Sequence, residues 1–367
     1  MKIVVTGTRG IPNIMGGVET HCEELFPRIA AKGYDVTVIR RKGYVQDELT
    51  EWKGVKLVNV ESPRKKAFET MVHTFRAINK AKSLNADVVH IHTIGPALLV
   101  PYAKLLGMKV VVTHHGPDYN RDKWGFIAKT ILKLGESMGC MFADHVIVIS
   151  NVIKNLIAER CGRTKNVHLI YNGVPEPEIC DYPEYFEELG IEKGKYVLGM
   201  CRFVPEKHFH DLIDAFSKVR RKMEDGRHVK LVLAGDTYFA DDYSRWLKQK
   251  ARESGVVLTR FVRGRKLHSL LTNALCYSLP SSHEGLSISL LEAMSYRLPV
   301  ITSAIPANLE VGLPAECYHE VGDVEALAAK LEAIVKKPLQ RIDYDMSKYN
   351  WDVISQQVCE IYKDFGQ

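Results

Sequence analysis

Short apolar runs, continuous rather than alternating, recur along this chain and are separated by segments whose apolar residues return every three or four positions. The runs predict strands at Lys2–Thr6, Asp35–Ile39, Lys56–Val60, Asp87–His92, Lys109–Thr113, His145–Ile149 and Val167–Ile170. They resume at Tyr196–Cys201, Lys230–Ala234, Val256–Val262, Cys276–Pro280 and Pro299–Thr302. Unbroken apolar character suits strands of a parallel sheet covered on both faces. The segments between them predict helices, among them Glu19–Lys32, Val152–Arg160, Phe209–Arg221 and Val324–Lys336. Such alternation reads as α/β with parallel sheets.

The pattern starts twice. Strand, glycine loop and helix follow one another from Met1, and strand, polar loop and helix again from Tyr196; the turn-rich stretch Tyr171 to Pro177 lies between. Two Rossmann-like domains facing each other across a cleft are therefore expected: 1–172 with 351–367, and 173–350. The closing helix, Trp351–Phe365, would cross back onto the first domain. A chain of 367 residues with 46% apolar and 26% charged residues suits two soluble domains. Its eight scattered cysteines, without C-x-x-C, suit reduced core residues in a cytoplasm. No secretory leader and no membrane span is expected. Charge is uneven: 25 Lys and Arg against 15 Asp and Glu through residue 172, then 25 against 29. The first half should therefore face something anionic.

The candidate chemistry sits where predicted strands end. Gly16 and Gly17 open the first helix, where glycine lets a phosphate approach the backbone. Arg202 and Lys207 share the loop after Tyr196–Cys201, at the carboxyl end of a strand where α/β sheets bind ligands; a guanidinium and an ammonium there could grip two phosphates. Glu284 and Glu292 have seven residues between them, around an apolar run, Leu286 to Met294, that reads as a buried helix. The amides of Leu286, Ser287 and Ile288 would then lie unpaired between the carboxylates, at a helix end that favours anions. His115, in Thr113-His114-His115-Gly116, ends another strand and could donate to a ligand hydroxyl. His90-x-His92 and His208-x-His210 have ligand spacing but no evident third ligand, so no metal site is expected. Asp343-Tyr344-Asp345 and Tyr344-x-x-x-Lys348 match a metal clamp and a dehydrogenase dyad formally, but both lie in a late irregular stretch. In Pro63–Lys82, six basic residues accompany Phe68, Met71, Val72, Phe75 and Ile78 at helical spacing. That is an ordinary domain helix packed on a sheet, a peripheral contact with anionic lipid, or both. No nucleic-acid module accompanies the charge.

In this order the motifs resemble retaining glycosyltransferases of the GT-B fold, family 4 (group 1), over almost the whole chain. Gly16-Gly17-Val18-Glu19 resembles that family's first glycine loop, Arg202 with Glu206-Lys207 its diphosphate loop, and Glu284 to Glu292 its E-x7-E segment, continuing through Ala293-Met294 and Pro299-Val300. The opening TGTRGIPNIMGGVET is similar to rhamnosyltransferase-like members. The resemblance implies that Arg202 and Lys207 bind the donor diphosphate and Glu292 the ribose. It also implies that Glu284, Gly285, Leu286 and Ser287 lie at sugar and phosphate, His115 lies near the reacting centre, and the base lies against Phe261-Val262-Arg263-Gly264. Three residues depart from the pattern: Ser287 stands for glycine or proline, Arg297 for glycine and Leu275 for aspartate.

The implied activity is hexosyl transfer with retention, from a nucleotide-diphosphate-sugar to a saccharide or lipid-linked acceptor in cell-surface polysaccharide or glycoconjugate synthesis. It needs no cofactor and no metal, and belongs in the cytoplasm or on the cytoplasmic membrane face. Two other readings stay open. One is an NAD-dependent sugar-nucleotide oxidoreductase or epimerase, against which Asn13 replaces the third glycine of its fingerprint. The other is a catalytically silent nucleotide-sugar binding protein.

Overall fold

The computed structural model describes residues 1–63, 66–121, 124–222 and 228–366. The chain divides into two compact units, Met1–Gly173 with Lys348–Gln367, and Val174–Ser347. Each is built around a largely parallel sheet with helices between successive strands.

The first unit runs β1 (Lys2–Thr6), α1 (Gly17–Ala31), β2 (Asp35–Arg41), β3 (Glu51–Trp52), β4 (Val55–Val60), α2 (Lys66–Ser83), β5 (Val88–His92), α3 (Val100–Leu105) and β6 (Lys109–His114). It continues with α4 (Phe126–Phe142), β7 (His145–Val148), α5 (Asn151–Cys161) and β8 (Val167–Leu169). Sheet order is β3-β4-β2-β1-β5-β6-β7-β8, and only β3 is antiparallel to its neighbour. Strand order reverses between β1 and β5, so the loops leaving those strands part and open a crevice at their carboxyl ends. His92 ends β5 there, and the loop after β1 leads to Gly16 and Gly17.

The second unit runs α6 (Pro183–Leu189), β9 (Tyr196–Met200), α7 (Phe209–Arg221), β10 (Lys230–Ala234), α8 (Asp242–Glu253), β11 (Val257–Arg260), α9 (Gly264–Asn273) and β12 (Cys276–Leu279). It ends with α10 (Ile288–Ser295), β13 (Val300–Ser303), α11 (Pro306–Leu309), β14 (Tyr318–His319) and α12 (Val324–Lys336). The order β11-β10-β9-β12-β13-β14 is wholly parallel and reverses between β9 and β12. The loops after β9 and β12 carry Arg202, Lys207 and Glu284.

The closing helix α13 (Trp351–Lys363) joins the first unit, its start capped by Asn350 accepting from the amides of Asp352 and Val353. Trp351, Ile354, Val358 and Tyr362 pack with Phe26, Ile29 and Val38 in one core. Trp351 lies flat enough on Gly173 that a Cβ there would come within 2.6 Å of the indole.

Two expectations are corrected and two short strands are new. The strand expected over Val256–Val262 stops at Arg260, whose φ of 61° turns the chain out of the extended region. The helix expected from Leu286 begins at Ile288, because Ser287 stays extended and caps it. Strands β3 and β14 have two residues each, too few for a recognisable run. Within Pro63–Lys82, Arg64 and Lys65 and the side chains of Lys66 and Phe68 lie outside the described residues. Ala77, Ile78 and Ala81 bury α2 against the unit, while Phe75 is exposed. No helix among the described residues is long and apolar enough to cross a membrane.

Candidate functional site

The second unit gathers four of the expected site residues. After β9, the backbone of Phe203 bonds Asp236 O and its ring packs edge-on to Phe209 at 6.0 Å, which fixes the loop to α7. Lys207 ends the turn at Pro205–Lys207 and donates to Glu284 Oε1 at 2.5 Å, both side chains being largely buried. The amide of Ser282 donates to Glu206 O at 3.0 Å, tying the β9 and β12 loops together. The buried Cys201 thiol and Tyr277 phenol locate the rest. Burial raises the Cys201 pKa, and Lys207, Glu284, Arg202 and Glu206 all act on it electrostatically. Burial also raises Tyr277, which gives a hydrogen bond to Ser289 Oγ at 2.8 Å and feels Cys201, Glu284 and Glu292. Lys207 and Glu284 are thus in direct contact, with Arg202 on the same β9 loop as Lys207 and Glu292 in α10, the helix that follows the Glu284 loop.

At the start of α10, Ser287 Oγ accepts from the amide of Leu290, and Ser287 O accepts from that of Leu291. The amides without an intrahelical acceptor are thus those of Ile288 and Ser289, later than expected. Ser287 Oγ lies 3.1 Å from Ser289 Oγ, so both hydroxyls line the same end. Val262 and Arg263 form the loop between β11 and α9, where the Arg263 guanidinium lies over the exposed Phe261 ring at 5.2 Å. The amide of Gly235 bonds Arg260 O and ties this loop to the sheet.

In the first unit the glycine loop is held by Glu19, the last residue of its motif, to which the sequence assigned no role of its own. Glu19 is buried; it accepts from the Arg9 amide at 3.0 Å and Thr8 Oγ1 at 3.3 Å, and lies 3.6 Å from the Arg9 guanidinium. A Cβ on Gly16 would meet the Glu19 carboxylate at 2.0 Å, and Gly16 has φ 147°. Gly16 is therefore glycine for an internal reason. A Cβ on Gly17 would meet nothing within 4 Å, so its backbone faces open space at the start of α1. The signal for Glu19 was its place in the first turn of a helix, where a carboxylate reaches back to loop amides.

The loop after β6 is fixed by His114. Its Nδ1 accepts from the Gly116 amide at 3.1 Å, so Nε2–H donates to Glu136 Oε1 at 2.9 Å. Buried Glu136 also accepts from Tyr119 OH and lies 3.3 Å from Arg160. That leaves His115 to face away from this network. His115 Nε2 is 2.9 Å from His92 Nδ1, His92 stacks on His90 at 4.5 Å, and His21 meets His115 edge-on at 4.8 Å. Burial holds His21 down to about 4 and His90 to about 3, and holds His92 and His115 well below the ordinary imidazole value. All four are neutral at pH 7.

These pKa values and bonds define the tautomers. His21 Nδ1 faces Asn172 Oδ1 at 2.9 Å and so carries its proton there. His92 Nε2 is buried with no partner. A buried unpaired N–H is costlier and rarer than a buried unpaired lone pair, so His92 is protonated on Nδ1 and donates to His115 Nε2. His115 then carries its own proton on Nδ1. Ligand atoms of His21, His92 and His115 lie within 4.8 Å of one another, as do those of His208, His210 and Asp211. Of the described residues, these are the two sets that could hold a cation. The first set does not use the His90-x-His92 pair: His90 is bonded through both ring nitrogens to Tyr362 OH and Thr113 Oγ1, and His92 is joined instead by His21 of α1 and His115 of the β6 loop. In the second set His208 Nδ1 already pairs with Asp211 at 2.8 Å and His210 Nδ1 with Tyr243 OH at 2.9 Å.

The formal matches set aside above have structural roles. Tyr344 donates to Leu298 O at 2.9 Å, and Asp343 pairs with Arg297 at 2.6 Å. Arg297 has φ 60°, the left-handed conformation that glycine adopts without strain, which explains why glycine would serve there. Leu275 fills the second unit's core.

The chain matches a family model described as Glycosyltransferase Family 4 over residues 15–176 and one described as Glycosyl transferases group 1 over residues 181–351. It is 25% identical to an uncharacterized glycosyltransferase of Methanocaldococcus jannaschii, covering 99% of this chain and 98% of that one. It is 24% identical to the O-antigen chain mannosyltransferase of Salmonella typhimurium, covering 69% of each. Among solved structures, sucrose-phosphate synthase from Thermosynechococcus elongatus superposes with a TM-score of 0.82 at 18% identity, over 99% of this chain and 98% of that one. Anabaena HepE in complex with UDP-glucose gives 0.80 at 18% identity, over 99% and 100%. At such identities these two show a shared fold.

Proposed function

Because the chain belongs to the family 4, group 1 glycosyltransferases of the GT-B fold, we propose that it transfers a hexose from a nucleotide-diphosphate-sugar to a hydroxyl of a saccharide or lipid-linked acceptor, with retention at the anomeric carbon. The second unit is the donor-binding part and the first the acceptor-binding part. The observation that carries this reading is the Lys207–Glu284 pair at the strand-order reversal, beside the open start of α10. A nucleotide sugar presents a diphosphate flanked by hydroxyls, and this site presents cations flanked by carboxylates. UDP-glucose bound to the Anabaena neighbour supports a donor of that class.

On donor binding, Lys207 exchanges Glu284 for a phosphate oxygen and frees the carboxylate to accept from a sugar hydroxyl. Arg202, Lys207 and the amides of Ile288 and Ser289 stabilise the charge that grows on the leaving diphosphate, the term that is usually largest in such transfers. Glu292 accepts from the ribose, and Val262 and Arg263 border the base. In the first unit His115 carries its proton on Nδ1, the donor that the family resemblance assigns to the reacting centre. The C–O bond to the diphosphate breaks, the acceptor oxygen bonds the anomeric carbon from the same face, and its proton passes to the departing phosphate oxygen. Positive charge supplied by side chains and amides does the work a metal would otherwise do. The product is a saccharide or glycoconjugate of the kind displayed at cell surfaces, made at the cytoplasmic membrane face.

Turnover with a panel of UDP-, GDP- and dTDP-sugars tests this reading. Glu292→Ala and Lys207→Ala should each lower it by roughly 10²–10³-fold while circular dichroism stays unchanged. Lys207→Ala also strands the Glu284 carboxylate, so Glu292→Ala guards against a folding artefact. Near-normal turnover in both removes the assignment, and tight donor binding without turnover makes the protein a binding module. Proton NMR of the product anomer separates retention from inversion.

A further inference from the structure

We infer that helix α4 docks on the surface of an anionic lipid bilayer. Its inner face, Leu132, Gly135, Gly139 and Cys140, rests on the unit so closely that a Cβ at Gly135 would strike Ile94 O at 2.1 Å. Its outer face is apolar too. Phe126 is 86% exposed, Ile127 75% and Met141 63%, and Ile131, Leu134 and Phe142 are also exposed. At 100° per residue these six side chains fall within one half of the helix and run its full length, about 25 Å. No charged residue interrupts the stripe. Scattered exposed apolar residues are ordinary, but a continuous stripe of this size marks a contact surface.

Charge identifies the occupant. Lys133 is exposed at the edge of the stripe. Helix α3, which packs on α4, adds Leu105 at 85% exposure. The exposed Phe75 of α2 stacks on Tyr102 of α3 at 5.0 Å, and Arg76, Lys80 and Lys82 of α2 are exposed beside it. The carboxylates of the same region are engaged: Glu69 with Arg41, Glu136 with His114 and Arg160, and Asp144 with Lys104. An apolar stripe with a basic margin suits acyl chains and anionic headgroups together. A second copy of the chain fits worse, because a two-fold contact through this face would set one basic margin against another. The proposal adds α4 to the lipid contact expected from Pro63–Lys82, with α2 supplying charge at the margin.

The inference does not rest on transfer chemistry, since vesicle binding is read with no sugar present. The full chain should float with phosphatidylglycerol-containing vesicles, bind phosphatidylcholine vesicles far less, and be released by salt. Ile127→Glu combined with Ile131→Glu should lower partitioning at least about 100-fold, with melting temperature and donor hydrolysis in the absence of lipid unchanged. Lys133→Ala should weaken binding only to the anionic vesicles. Wild-type failure to bind, or undiminished binding by the double variant, overturns the inference. So does a lipid-free dimer in light scattering that the double variant dissolves, which would make a second copy the occupant.

Discussion

His115 owes its proton position to a neighbour on the adjacent strand. His92 Nε2 is sealed from water and partner, so the proton of His92 goes to Nδ1 and the lone pair of His115 Nε2 is used up. Long-range proton–nitrogen correlation spectra of histidine-labelled protein should therefore show His115 in the Nδ1–H form at pH 7. Replacing His92 by Phe should release that preference and, on the role proposed for His115, lower kcat more than it changes KM, since the ring of His115 stays but its donor loses direction. An Nε2–H tautomer for His115 in the wild-type protein would refute the argument. Little of this was legible in the sequence. The pair His114-His115 is visible, but which histidine faces inward depends on Glu136 and Gly116, and His21 and His92 come from distant segments. The role of Glu19 was hidden for the same reason. By contrast Arg202, Lys207, Glu284 and Glu292 stand at strand ends that the continuous apolar runs already mark.

Helix α10 shows how an element's start governs its chemistry. The apolar run begins at Leu286, which drew the expected helix two residues too early; the capping signal was Ser287, whose hydroxyl takes the Leu290 amide. Replacing Ser287 by alanine should cost about 1 kcal/mol and replacing it by glycine only a few tenths, read from urea unfolding of the full chain. No loss on replacement by alanine would mean that the hydroxyl does not cap. Periodicity alone would not have told which side of α4 is covered. It reports that a helix is apolar on a face, not whether protein covers that face, and here two opposite faces are apolar while one is covered. Strands β3 and β14 escaped because two residues make no pattern. The long parallel strands were legible because burial on both sides leaves no room for polar alternation.

On the scale of the whole molecule, the buried histidines make the first unit acid-sensitive. His21, His90, His92 and His115 are neutral in the fold and would each take up a proton in the unfolded chain below pH 6.5. The unfolded state then binds more protons, so stability is full above pH 6.5 and falls as pH drops towards about 4 for His21 and about 3 for His90. Each contributes a loss of about 2 kcal/mol by pH 5, and because the four imidazoles stay neutral in the fold down to that pH, the losses add. In the second unit the shifted imidazoles, His210 and His319, have carboxylates nearby that offset the effect. Calorimetry should therefore show one broad transition at pH 7.5 splitting by pH 5, with the first unit melting earlier. Trp351, buried in the first unit and edge-on to His21 at 5.3 Å, reports that event by fluorescence. A melting temperature for the Trp351 signal that stays level from pH 7 to pH 5 would mean that water reaches these rings and that His115 is free to carry charge at the site.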